Sequence, residues 1–197
     1  MALPSRDQTF AYENCRDLVA KLEREIDRYL EVAGKDPDGE AMLKLVPQLT
    51  DAAFNAAVTA WHLCDWVFND LTAEQRQKLG YGKLGMLQEH ARTQCRALYL
   101  CRYAATASKH WSVDVNPDPT VQVVVGHEDG WVIYFVDDGK KMPAEQVFEE
   151  ARGFWDAFIR SNGIAKALDD LAAAQYESSA QIDEENHRAD TEKPASI

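Results

Sequence analysis

Arg102, Lys109 and His110 fall close together at and just past the end of an expected helix, and their types suit work on a phosphate ester. An imidazole titrates near neutrality, so His110 can serve as a general acid or base. The planar guanidinium of Arg102 suits charge developing on phosphoryl oxygens, and Lys109 supplies a second cation. On an ideal helix the eight-residue step from Arg102 to His110 turns through about 80°, onto a neighbouring face. The two side chains converge if the helix ends before His110. The plainer alternative gives Arg102 an internal ion pair and sets Lys109 and His110 against the negative end of the helix dipole.

A second polar group interrupts an apolar stretch. Asn55, Thr59, His62 and Asn69 share one narrow helical stripe, with Asp65 at its edge. A metal would need further ligands beside His62 and Asp65, such as His90 or His110. The Glu-x-x-His spacing of di-metal bundles occurs here only at Glu184–His187, so no metal centre is expected. The alternative is a buried polar seam in which Asp65 accepts from Arg102 or from a backbone amide. There is no Gly-rich phosphate loop, ordered nucleophile triad or familiar carboxylate pair, and no cofactor is expected. His127, Glu128 and Asp129 read as a solvated turn. Trp61, Trp66, Trp131 and Trp155 read as core or interface aromatics.

The elements that must position these residues are mainly helical. Leu18, Leu22, Ile26, Tyr29 and Leu30 predict a first helix over about Tyr12 to Val32, with Arg16, Lys21, Glu25 and Arg28 on its solvent side. Gly34 to Gly39 breaks it. A second helix, apolar almost all round, is expected from Thr50 or Asp51 to about Leu71. Thr72 to Leu79 reads as a short helix capped by Thr72 and stopped by Gly80. A third long helix is expected from Lys83 to Ser108. The period then falls to two, and Val121 to Val136 reads as a β-hairpin turning at Gly126–Gly130, with Trp111 to Val115 as a possible third strand. Pro143 opens a last strong helix that Asn162-Gly163 ends, and a weaker one covers Ile164 to Tyr176. The expected architecture is one domain over 1–176, a bundle of four to five helices with the hairpin inserted before the last strong helix. The acidic segment 177–197 reads as a disordered tail.

Composition narrows the function classes. With 33 acids against 21 Lys and Arg the net charge is −12, which disfavours a DNA-binding surface while leaving room for a local basic pocket that meets RNA. No apolar run is long enough for a bilayer, and the polar segment Met1 to Phe10 lacks a secretory h-region. Cys15, Cys64, Cys95 and Cys101 form no Cys-x-x-Cys pair and read as reduced apolar residues. A cytoplasmic protein is expected, with a protein partner or a two-fold homodimer as its default assembly.

The strings Ala60-Trp61-His62-Leu63-Cys64-Asp65-Trp66-Val67, Cys101-Arg102-Tyr103-Ala104, Ser108-Lys109-His110 and Gly153-Phe154-Trp155 resemble a group of uncharacterised bacterial helical proteins. The likeness spans roughly Leu49 to Ile159. More distantly the layout is similar to the HEPN superfamily (higher-eukaryote and prokaryote nucleotide-binding), helical bundles that include metal-independent RNases of toxin–antitoxin and anti-phage systems. Their signature is an arginine, usually followed by a polar residue, with a histidine about five to seven positions on. Here Tyr103 follows Arg102 and the histidine comes eight positions on, at His110. The resemblance implies an endoribonuclease, or a degenerate relative, with Arg102 and His110 at its site. Two other readings compete: a non-catalytic acidic interaction protein such as an antitoxin, inhibitor or accessory subunit, and a small-molecule binder that uses the polar seam.

Overall fold

A computed structural model describes residues 10–107, 118–164, 166, 168 and 169. Helix α1 spans Cys15–Val32. It opens on a capping box in which Asn14 and Asp17 satisfy each other's backbone N–H groups. The Cys15 N–H is taken by Asp70 Oδ2 at 2.6 Å, which ties the start of α1 to the end of the second helix.

Helix α2 spans Glu40–Asp70, starting about ten residues earlier than the sequence led us to expect. Pro47 sits inside it. A proline there removes one bond, to the carbonyl four residues before, at Leu43. Leu43 is exposed, so water can satisfy that carbonyl. Leu45 and Leu49 are buried and hold the early turns onto the bundle. α1 and α2 pack along each other, and later helices and the sheet also pack against α2.

Helix α3 (Ala73–Leu79) has the predicted Thr72 cap, boxed with Gln75, and ends on Gly80 in the left-handed conformation. The expected third long helix is two, α4 (Leu84–Gln94) and α5 (Arg96–Ala107). Between them Cys95 is extended, at φ −131° and ψ 106°. In the turn before the break, the Thr93 hydroxyl donates to the carbonyls of Glu89 and His90. Back-bonding of this kind competes with the helical ladder and bends it.

Strands β1 (Val121–His127), β2 (Trp131–Asp137) and β3 (Lys140–Pro143) form an antiparallel sheet in the order β1-β2-β3. The third strand therefore follows the hairpin; Trp111 to Val115 lies outside the described residues. Asp138 and Gly139, both at positive φ, make the tight turn into β3. Ile133 and Phe135 on β2 are buried against the helices, and the Ile133 N–H donates to Tyr29 Oη. At the other end Gly130 lies so close to the loop after α1 that a Cβ would fall 2.2 Å from the Gly34 carbonyl oxygen. Two backbone bonds, Gly34 N–H to Trp131 O and Trp131 N–H to Lys35 O, fasten the hairpin there.

Helix α6 spans Ala144–Ser161, directly after Pro143. Val147, Phe148, Ala151, Trp155, Phe158 and Ile159 are buried as expected, and the Trp155 indole N–H donates to the Ala60 carbonyl at 2.9 Å. The architecture is mainly helical with one sheet inserted before the last described full helix, as the sequence implies. Of the segments read as weaker, the helix to Tyr176 is described only at residues 164, 166, 168 and 169, and 177–197 lies outside the described residues. Cys15, Cys64 and Cys101 are fully buried free thiols, and burial pushes each well above its ordinary pKa. Cys95 is half-buried. No described helix is long and apolar enough to cross a membrane.

Candidate functional site

The stripe on α2 meets several different surroundings. Asn55 and Asn69 are exposed, His62 and Asp65 are half-buried, and Thr59 is buried. Thr59 faces α1, where its hydroxyl oxygen accepts from Lys21 Nζ at 2.7 Å. The same ammonium reaches Glu25 Oε1 at 2.9 Å, and Arg28 Nη1 meets that oxygen at 2.9 Å. Buried Glu25 and Thr59 are thus joined by half-buried Lys21 and exposed Arg28 in a polar network between α1 and α2.

That network corrects the reading of α1. Glu25, assigned above to the solvent side, is 4% exposed, while Leu30, assigned to the buried stripe, is 41% exposed. The spacing contained the signal: Leu18, Leu22, Glu25 and Tyr29 step by four, three and four, the seam of a packed helix. A glutamate at such a position is buried with its partners or not at all. Burial raises the Glu25 carboxyl, but hydrogen bonds from Lys21 and Arg28 and their charges outweigh it, and the group sits below the usual carboxylate range.

Arg102 is half-buried on α5, which packs against α2. Among the described residues its guanidinium has no hydrogen bond and no ion pair, so the expected bond from Arg102 to Asp65 is not formed. Every other described arginine is engaged. Arg16 meets Asp169, Arg28 meets Glu25, Arg92 meets Glu89, Arg96 meets Asp137, and Arg152 meets Glu149 and Asp156. Arg76 donates to the Phe68 and Asn69 carbonyls, Arg160 to the Asp156 carbonyl, and Arg24 to the Tyr12 hydroxyl.

Two described carboxylates near α5, Asp137 and Asp118, are already occupied. Arg96 Nε binds Asp137 Oδ2 at 2.7 Å, and its guanidinium lies 4.1 Å from the centre of the Tyr99 ring. The Tyr99 hydroxyl donates to Asp118 Oδ2 at 2.6 Å, and Thr120 donates to the other oxygen of Asp118 through both its hydroxyl and its backbone N–H. The Asp118 hydrogen bond holds the Tyr99 phenol above its ordinary value, with burial and the Asp118 charge adding to it, while the Arg102 charge pulls the other way. Arg102, one turn along α5 from Tyr99, is therefore close enough to polarise that hydroxyl without bonding to it.

Lys109 and His110 lie outside the described residues, two and three positions past the end of α5. Among the described residues no group of three or more His, Cys, Asp or Glu is placed to hold a metal ion. His90 sits among Tyr81, Phe154 and Phe158, where burial lowers its pKa. At the hairpin tip His127 pairs with Asp36 at 2.8 Å and stacks obliquely on Trp131, so this turn is a docking point on the α1–α2 loop. A shallow groove between α1 and α6, lined in part by Arg16, Val19, Glu23 and Ile159, lies on another side of α1 from Thr59 and Lys21. No family model, curated protein or solved structure matches the chain.

Proposed function

We propose that the protein is an HEPN-like, RNA-directed protein of a bacterial toxin–antitoxin or anti-phage system, acting as a metal-independent endoribonuclease centred on Arg102 and His110. The observation that carries the reading is the guanidinium of Arg102, which makes no hydrogen bond or ion pair to any described residue. In a chain of net charge −12, a half-buried cation with no carboxylate partner among the described residues is suited to an anion brought from outside. A phosphodiester fits its planar fork of donors.

The chemistry follows from the residue types. A ribose 2′-hydroxyl attacks the adjacent phosphorus and loses its proton to a base. The 5′-oxygen leaves with a proton from an acid, and a 2′,3′-cyclic phosphate remains. His110 supplies the proton transfers, Arg102 neutralises the phosphoryl oxygens, and Lys109 adds a second positive charge. His62 and Asp65, on the helix that packs against α5, are the nearest second-layer candidates on this reading.

The test is cleavage of total RNA and tRNA in the presence of chelator by wild-type protein, Arg102→Ala and His110→Ala. Cleavage that both folded variants lose supports the proposal. Intact RNA with wild-type protein overturns it and leaves the acidic interaction protein, which the net charge favours, as the next reading to test by partner capture.

A further inference from the structure

β1 is an edge of the sheet: β2 pairs with one of its sides, and no strand among the described residues pairs with the other. Folded proteins usually blunt such an edge with a bulge, a proline, a lysine or an inward charge. β1 has none of these. Its sequence is Val-Gln-Val-Val-Val-Gly-His, and its register with β2 runs unbroken from Val121↔Asp137 to His127↔Trp131.

The apolar layer beneath the sheet also stops short at this strand. Val123 lies opposite Phe135 and Val125 opposite Ile133. Phe135 and Ile133 are 1% and 2% exposed, whereas Val123 and Val125 are 47% and 43% exposed. These valines point toward the core side of the sheet, and no described helix covers them there. A further strand against β1 would extend that layer and use the unpaired backbone groups together.

We infer that β1 pairs antiparallel with β1 of a second copy about a two-fold axis at Val124, joining the two sheets into one. The sequence of the strand selects this occupant. About that axis Val123 faces the partner's Val125, Val121 faces the partner's His127, and Gln122 faces the partner's Gly126. Beyond the strand, Thr120 faces the partner's Glu128 and Asp118 faces the partner's Gly130, so no carboxylate stands opposite another. In a protein of net charge −12, this uncharged strand is a place where two copies meet without opposing like charges. The pairing is isologous and closes on itself, so the product is a dimer and not a fibre.

The molar mass of the full chain, measured by light scattering across a concentration series, tests this. Wild-type protein runs as a dimer that dissociates on dilution. The exposed double substitution V123K/V125K, and separately V123E/V125E, each give a monomer with an unchanged circular-dichroism spectrum. An equimolar mixture of the two regains the dimer mass, because each lysine then meets a glutamate. Should either double variant fail to fold, V123C mixed with V125C replaces it and yields a mixed disulfide-linked dimer in preference to V123C alone. A wild-type monomer at every concentration, a dimer that survives V123K/V125K, or a mixture that stays monomeric overturns the inference.

Discussion

Two regions of this molecule place basic side chains inside a helical bundle and treat them oppositely. Between α1 and α2, Lys21 and Arg28 converge on one oxygen of Glu25, and Lys21 also donates to Thr59. On α5, Arg102 is half-buried and its guanidinium engages none of the described residues, while Arg96, two turns earlier, is bound to Asp137. The first arrangement satisfies one oxygen of Glu25, leaves the buried Oε2 without a hydrogen-bond partner among the described residues, and serves to register two helices. The second leaves a positive charge that no described carboxylate neutralises. The contrast separates a cation that holds the fold from one that is held by it.

The largest expected effect attacks the second region. Arg102→Ala and His110→Ala should each lower RNA cleavage by about 100-fold or more, the usual loss when a transition-state charge or proton-transfer group is removed. Initial rates on a defined RNA read it. Next comes the first region: Glu25→Ala should cost about 2 kcal/mol in urea unfolding. That is below the value for a fully buried pair, because Arg28 is 60% and Lys21 27% exposed.

A pH series sharpens the same contrast. The Glu25 and Asp137 carboxyls both lie below their ordinary range in the folded protein, Glu25 through Lys21 and Arg28 against its burial, Asp137 chiefly through its bond to Arg96. A carboxyl whose folded pKa is depressed contributes stability above its unfolded value, near pH 4, and loses it as the pH falls through the lower folded value. The melting temperature should therefore drop below about pH 4, and less steeply in Glu25→Gln. Smallest is the effect of Arg102→Ala on stability, within about 0.5 kcal/mol, since no bond to a described residue is lost. A large destabilisation there would show that Arg102 belongs to the fold after all, and the distinction between the regions would fail.

Much of this architecture could be read from residue periodicity. The α1 helix, the Thr72 cap, the hairpin and the α6 face all follow from local patterns whose physical cause is local. What escaped has non-local causes. Pro47 looks like a barrier until the exposure of the turn around Leu43 shows that its missing bond costs little there. The break at Cys95 carries neither proline nor glycine to announce it. Glu25 was misplaced because its chemistry was weighed above its heptad position. Arg102 is legible as a candidate from residue type alone, but the fact that gives it meaning, its lack of a partner among the described residues, exists only in three dimensions. The expected pair with Asp65 was chemically reasonable and geometrically unmade.

The cysteines described with the fold have a practical consequence. A thiol reacts as its thiolate, and Cys15, Cys64 and Cys101 are both sealed from reagent and held in the protonated form. They sit on α1, α2 and α5, one in each of three helices of the bundle. Alkylation of each is gated by the opening of its own helix, so the chain carries three internal clocks. Mass-resolved labelling would report whether the start of α1, the middle of α2 and the body of α5 come undone together or one at a time.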